Sequence, residues 1–272
     1  MNEGKSANGI GAGGRSGECD RSGCSRGGEE EFLDRVSATY VEDIPYHDIK
    51  RELIVGAAKR FMKEGTGRGL ELGCHDGFET ALLAELVEHL DAIEGSSVFI
   101  DKCEGMKLPN VTFIKTLFEE FREKNKYDYV FASYVFEHIL EPRVVLGNIR
   151  EALKPGGLLF VTVPNSRAFS RQLALEMGLI RSLDGLTEND VNHGHRRTYD
   201  RESARAELEE SGFEIVESSG VIFKPLADFQ LNQLLRQGFL AREHMEALYS
   251  LGLRYPELCD SIFLACRAGG GE

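Results

Sequence analysis

Seven consecutive residues carry the first chemical signal in this chain: Glu71-Leu72-Gly73-Cys74-His75-Asp76-Gly77. They follow a short apolar run and open a helical one. A glycine at a strand end lets the backbone turn sharply beside a ligand, and Gly77 permits close helix packing. Folds that bind nucleotides, flavins and methyl donors all use such a turn, so alone it selects none of them. Glu94 ends the next apolar run, about 20 residues beyond Gly73, the spacing at which an acid meets the two hydroxyls of a ribose. A carboxylate accepts both hydrogen bonds; the competing reading is a solvated loop acid. Two more segments complete the set. Asp128-Tyr129-Val130-Phe131-Ala132-Ser133-Tyr134-Val135-Phe136-Glu137-His138 reads as a buried strand ending near Ser133. Leu153-Lys154-Pro155-Gly156-Gly157 reads as a helix stop and tight turn.

A second group of residues suits an acceptor rather than a nucleotide. Asn192-His193-Gly194-His195-Arg196-Arg197-Thr198-Tyr199 packs two imidazoles, two guanidiniums and a phenol into one polar stretch. Arginine recognises carboxylate or phosphate, and histidine exchanges protons near neutral pH. His193, Arg196, Arg197 and Tyr199 are therefore candidate substrate contacts, and His195 a candidate base. The alternative is that the arginines are solvated or pair with Glu188 and Asp190, and that His195 braces the loop. His138 is the other candidate base. Tyr46 and His47 either close over a bound donor or form a hydrophobic staple at a helix start.

These residues need elements to position them. Apolar runs at 69–73, 90–94, 111–115, 127–133, 157–164, 213–223 and 261–267 read as seven strands. Helical patterns fill 79–88, 142–153 and 201–211, the alternation of a mainly parallel sheet. Upstream, 29–40 fits a short amphipathic helix and 47–62 a longer one with Ile49, Leu53, Ile54, Ala57 and Phe61 inward. Two long connections, 165–200 and 224–259, interrupt the alternation and are expected to cover a substrate. In the second, Phe223, Phe229, Leu231, Leu234, Leu235 and Phe239 recur at helical spacing, as core, pocket wall or dimer contact.

Taken together and in this order, the Glu71–Gly77 turn, Glu94, the Asp128–His138 segment and Lys154-Pro155-Gly156-Gly157 resemble the class I S-adenosylmethionine-dependent methyltransferases. The resemblance implies an α/β fold: a doubly wound, seven-stranded, mainly parallel sheet of order 3-2-1-4-5-7-6. Its last strand is antiparallel, and helices lie on both faces. It also implies roles. The turn residues Glu71, Gly73, His75 and Gly77 would hold the methionine part of S-adenosylmethionine, and Glu94 the ribose. Leu117 and Phe118 would meet the adenine, and Ser133 and Tyr134 would lie beside the methionine moiety. His75 departs from the pattern, standing where many members have a second glycine. The usual acid after the third strand is also displaced, with Glu119 the nearest. A dehydrogenase would seat a pyrophosphate at the helix after the turn. Asp76 and Glu79 would repel it there, whereas a cationic sulfonium tolerates them.

Composition bounds the partners. The chain has 272 residues, 42% hydrophobic and 28% charged, ordinary for a globular domain. Its formal net charge of −13 disfavours nucleic acid as the main partner. Residues 1–28 are Gly-, Ser- and Arg-rich and read as a disordered tail without the apolar core of a signal peptide. With no run of about 20 apolar residues, no membrane span is expected, and the default location is the cytoplasm. Six cysteines read as free thiols, and Cys19 with Cys24 falls short of the four ligands of structural zinc. The expectation is a domain over 29–268 that needs no metal, a monomer or homodimer. It would methylate an oxygen or nitrogen of a small polar acceptor, a natural-product or sugar-derived intermediate. Alternatives are a protein or RNA methyltransferase, and a relative that binds the donor without chemistry.

Overall fold

The computed structural model describes residues 26–40 and 44–269. The tail expected over 1–28 lies outside the described residues up to position 25, as do Cys19 and Cys24. Its last three residues belong to a helix, α1 (Arg26–Ser37). A second helix, α2 (Pro45–Lys59), precedes the sheet and starts on proline, whose missing N–H costs nothing in a first turn.

Seven strands follow: β1 (Arg68–Leu72), β2 (His89–Glu94), β3 (Val111–Lys115), β4 (Tyr127–Ser133), β5 (Leu153–Pro164), β6 (Phe213–Gly220) and β7 (Ser261–Ala268). They form one sheet of order β3-β2-β1-β4-β5-β7-β6. β7 runs antiparallel to both β5 and β6, and the other pairs are parallel. The expected topology is therefore present. β1 and β2 are buried almost throughout, as strands covered on both faces must be. Edge strand β3 alternates between half-buried and exposed.

Helices α3 (Phe78–Ala84), α4 (Ser97–Glu104), α5 (Pro142–Ala152) and α8 (Arg201–Glu210) connect the strands. Two large apolar clusters lie on opposite faces of the sheet. One joins Leu70, Val130, Leu146, Ile149 and Leu264; the other joins Ile54, Ala57, Leu83, Phe131, Phe160 and Phe263. Of the residues expected inward on α2, Ile54 and Ala57 are buried, while Ile49, Leu53 and Phe61 pack half-buried against the second cluster.

Two strand boundaries and one whole helix, among the differences from the sequence reading, bear on how the sheet is held. β5 begins at Leu153, not 157, because Leu153 pairs with Tyr127 before the register shifts and Tyr129 takes Leu158. The expected turn survives as that irregularity: a Cβ on Gly157 would lie 3.0 Å from the Lys154 carbonyl and 3.1 Å from that of Asp128. β6 stops at Gly220, where the Gly252 carbonyl and Cys259 crowd the backbone. Helix α4 has no counterpart in the sequence reading. It is short, and what caps its start is tertiary: Asp34 of α1 accepts hydrogen bonds from Ser96 Oγ at 2.8 Å and the Ser97 N–H at 2.9 Å.

The two long connections fold as helices. The first holds α6 (Phe169–Glu176) and α7 (Glu188–Asn192); the second holds α9 (Asp228–Arg236) and α10 (Arg242–Arg254). Leu231 is buried, while Phe229 and Phe239 are 72% and 71% exposed, so that apolar series splits between core and surface. Among the described residues, no helix is long and apolar enough to cross a membrane.

Candidate active site

The turn after β1 is shaped by three left-handed residues in close succession. Gly73, His75 and Gly77 have φ of +80°, +47° and +81°. Gly77 must be glycine, since a Cβ would collide with Met106 and approach Cys103 Sγ to 3.2 Å. The Gly73 N–H donates to the Ile93 carbonyl at 2.8 Å, which ties the turn to the end of β2. Glu94 folds back from that strand end: a Cβ on Gly73 would lie 4.0 Å from Glu94 Oε2, 3.8 Å from the Phe118 ring and 3.4 Å from Val135. Burial pushes the Glu94 carboxyl up, opposed by the N–H groups of Ser96, Gly95, His75 and Cys74 that surround it. Leu117 packs beside Gly95, where a Cβ would sit 3.1 Å away. The fold thus brings together Gly73, Glu94, Leu117 and Phe118, which lie far apart in the chain.

Two buried atoms of the turn lack partners, Glu71 Oε2 and His75 Nε2. Buried polar atoms without a hydrogen bond are costly, and their concentration on one glycine-lined turn fits a polar ligand. Burial also pushes the Glu71 carboxyl well above its ordinary value. Ser133, at the end of β4, donates to Glu79 Oε1 at 2.6 Å, so Glu79 joins the donor side unanticipated.

Asp76 requires a correction. Burial pushes its carboxyl up, but His75 and Arg51 outweigh this and hold it well below the ordinary range. Arg51 Nη1 donates to both carboxylate oxygens, at 3.0 and 2.9 Å. The Asp76 charge is neutralised, so repulsion by it does not argue against a pyrophosphate. What separates the readings is the order of the strands.

α1 lies across the mouth of this site. Leu33 packs on Gly95, while Phe32 and Val36 pack on Gly194. Just beyond the helix, Tyr40 meets His75 edge-on with centroids 4.6 Å apart, and His193 at 5.4 Å. His193 therefore faces the donor turn. Arg196 also leaves the acceptor side: it pairs with Glu29 at 2.6 Å and lies 4.7 Å over the Phe32 ring. Tyr46 and His47 do not reach the donor turn either. The Tyr46 hydroxyl, fully buried, donates to Asp260 Oδ2 at 2.8 Å, and His47 Nε2 lies 3.2 Å from Asp228.

Beyond the ends of β4 and β5 lies a small cavity of about 30 Å³ whose lining includes Glu137, Asn165, Ser166, Asp190, His195 and Arg197. Tyr199 contributes its ring, but its hydroxyl turns away to the Glu207 carboxylate. Arg197 Nη2 donates to the Leu140 carbonyl at 3.2 Å. Beside the cleft, His138 and His195 stand edge to face, centroids 4.8 Å apart. Burial pushes His138 down to about 3, helped by His195. His195 is lowered too, by burial, with Asp190 opposing. Both rings are thus neutral, with a lone pair free to ligate a cation; His138 resists protonation, which leaves His195 as the candidate proton acceptor. Glu137, 1% exposed, is pushed by burial up to about 8, and its Oε2 has no partner. Glu137 escaped selection from sequence, although its place beside His138 at a strand end was a visible signal. Nothing local marks Tyr40. Glu137, His138 and His195 offer ligand atoms all within 4.8 Å of one another.

The sequence profile of the methyltransferase domain matches residues 46–218, and the chain belongs to that family. A ubiquinone biosynthesis O-methyltransferase of Brucella anthropi is 28% identical over 169 residues, covering 59% of this chain and 65% of that protein. A trans-aconitate 2-methyltransferase of Agrobacterium fabrum is 29% identical over 100 residues, covering 36% of this chain. This chain spans 39% of that second relative's length and just under two thirds of the first's. Among solved structures, the N-methyltransferase NodS of Bradyrhizobium japonicum, in complex with S-adenosyl-L-homocysteine, superposes with a TM-score of 0.58. The identity is 15%, over 89% of this chain and 98% of that one.

Proposed function

We propose that this protein transfers a methyl group from S-adenosylmethionine to an oxygen or nitrogen of a small polar acceptor, of natural-product or sugar-derived type. The observation that carries this reading is the Glu94 carboxylate folded onto the Gly73 turn, with the His195 imidazole lining a cavity beyond the ends of β4 and β5.

S-adenosylmethionine, when bound, supplies a methyl group already activated on a cationic sulfur. The protein's own tasks are alignment, exclusion of water and removal of a proton. Glu94 would accept the ribose hydroxyls, and Leu117 and Phe118 would flank the base. Gly73, His75 and Gly77 leave backbone space for the methionine part, with Glu71, Glu79 and Ser133 as its polar surroundings. α1 with Tyr40 closes the mouth. On the acceptor side, the lone pair of the acceptor attacks the methyl carbon as the carbon–sulfur bond breaks. The acceptor's proton would pass to His195, the imidazole that lines the cavity. Arg197 at the cleft wall suits an anionic substituent.

The relatives named for ubiquinone biosynthesis and trans-aconitate methylation support a small-molecule acceptor. The net charge of −13 argues against a polyanion. Calorimetric titration with S-adenosylhomocysteine, with NADH in parallel, tests the reading. Micromolar binding of S-adenosylhomocysteine alone is expected; binding of NADH alone would overturn it.

A further inference from the structure

The Glu137–His138–His195 group has a geometry that proton transfer alone does not require. Glu137 and His138 leave the end of β4, whereas His195 arrives from the first long connection. His138 Nε2 lies 4.0 Å from Glu137 Oε1. On its outer side, His195 Nδ1 lies 3.5 Å from Asp190 Oδ1. Asp190 is itself fixed, accepting from the Thr187 N–H and hydroxyl, both at 2.8 Å. Asp190 stands on the Nδ1 side, which leaves Nε2 of His195 to ligate. The inner group is the carboxylate with an unpartnered buried oxygen, Glu137 Oε2.

We infer that Glu137, His138 and His195 form a binding site for one divalent transition-metal cation. Two imidazoles and one carboxylate on one side of an ion are a ligand set for zinc, manganese or iron(II), with positions left open. Ligating histidines characteristically lean on a carboxylate or carbonyl through the other ring nitrogen, and Asp190 stands beside His195 Nδ1 in that position. The ion would fill the space that leaves Glu137 Oε2 without a partner. Its open positions face the cleft, because Glu137 and His195 both line it. An acceptor hydroxyl ligated there would lose its proton more readily, which restricts the preferred acceptor to one presenting a hydroxyl. That last role rests on the methyl-transfer reading; the ion site itself does not.

The test uses the full chain, stripped with EDTA and exchanged into chelator-free buffer. Mn²⁺ is titrated and followed by loss of the free-ion EPR signal, and Zn²⁺ by calorimetry. One Mn²⁺ per chain is expected, with affinity reduced at least tenfold in Glu137→Gln and His195→Ala. In Asp190→Asn, which removes no ligand, it should fall by about tenfold. S-adenosylhomocysteine affinity and far-UV circular dichroism, read on every variant, separate loss of the site from loss of the fold. Absence of Mn²⁺ and Zn²⁺ binding to the intact chain would overturn the inference. Binding that all three substitutions leave unchanged would do so too, assigning the ion elsewhere. The methyl-donor reading fails separately, if the metal binds and S-adenosylhomocysteine does not.

Discussion

The Tyr40 ring meets the His75 ring edge-on, centroids 4.6 Å apart, and so joins the end of the N-terminal helix to the turn after β1. Through His193, 5.4 Å from the same tyrosine, the contact extends to the segment that also carries His195. One aromatic side chain thus links the donor side to the acceptor side, and several expected outcomes follow from the parts it connects.

Replacing Tyr40 should loosen the closed mouth. Tyr40→Ala removes ring contacts to His75, Phe99 and His193, each worth roughly 0.5–1.5 kcal/mol. S-adenosylhomocysteine should dissociate faster by about tenfold in stopped-flow displacement. Tyr40→Phe keeps the ring and should match the wild type. A Phe variant as impaired as the Ala variant would show that the hydroxyl, not the ring, makes the closure.

Glu94→Ala should weaken S-adenosylhomocysteine binding by roughly 1–3 kcal/mol, the scale of lost charged hydrogen bonds. Calorimetry at constant pH reads this directly. Unchanged affinity would remove Glu94 from the site.

Gly77→Ala places a side chain at φ +81°, against Met106 and Cys103. A left-handed alanine costs about 1–2 kcal/mol before any clash. Chemical denaturation should show at least that loss, along with weakened donor binding, because the turn and the helix N-terminus shift together. Full stability with normal binding would show that the turn adapts freely.

The opposite end of the sheet gives a pH-dependent outcome. Asp91, 1% exposed in β2, accepts from Arg68 at 2.9 Å and from the Tyr127 hydroxyl at 2.7 Å, and pairs with Lys126 at 3.2 Å. Burial pushes its carboxyl up, but these partners outweigh burial and hold it below the ordinary value. A depressed carboxyl contributes stability above its unfolded pKa, about 3.9. That contribution is lost as pH falls through the folded-state value. Asp91→Asn should therefore cost roughly 1–3 kcal/mol at pH 7, the scale of lost charged hydrogen bonds. The cost should shrink as pH falls below the unfolded carboxyl value, as the wild-type protein loses the advantage of its ionised carboxyl. Urea titrations at pH 7 and near pH 3 compare the two. An equal loss at both would attribute the effect to packing rather than charge.

Much of the donor side was legible because its determinants are local. Gly73 and Gly77 are conformational requirements of one turn, and Glu94 follows from the length of one βα unit. The acceptor side was less so. Within 192–199 the residue types implied chemistry, but which of them face a common cleft depends on how that segment packs. Arg196 is drawn to Glu29 and Phe32, and His193 to Tyr40, all on or beside a helix that nothing in the segment itself foretells. Helix α4 was missed for the same reason, its start being capped by Asp34 from α1.

By itself, the order of apolar runs and turns determined the class of sheet, mainly parallel with helices between the strands; the strand order came from the resemblance of the motifs to a known family. The turn at Gly73 and Gly77 was marked by the glycines themselves, the residues that a left-handed backbone favours. Tertiary structure alone decided that Glu137 and His138 meet His195, that Asp190 backs His195, and that Arg51 cancels the charge of Asp76. Those pairings lie between segments distant along the chain. They arise because burial removes water as a partner and leaves each ionisable group only the neighbours that the packed chain supplies.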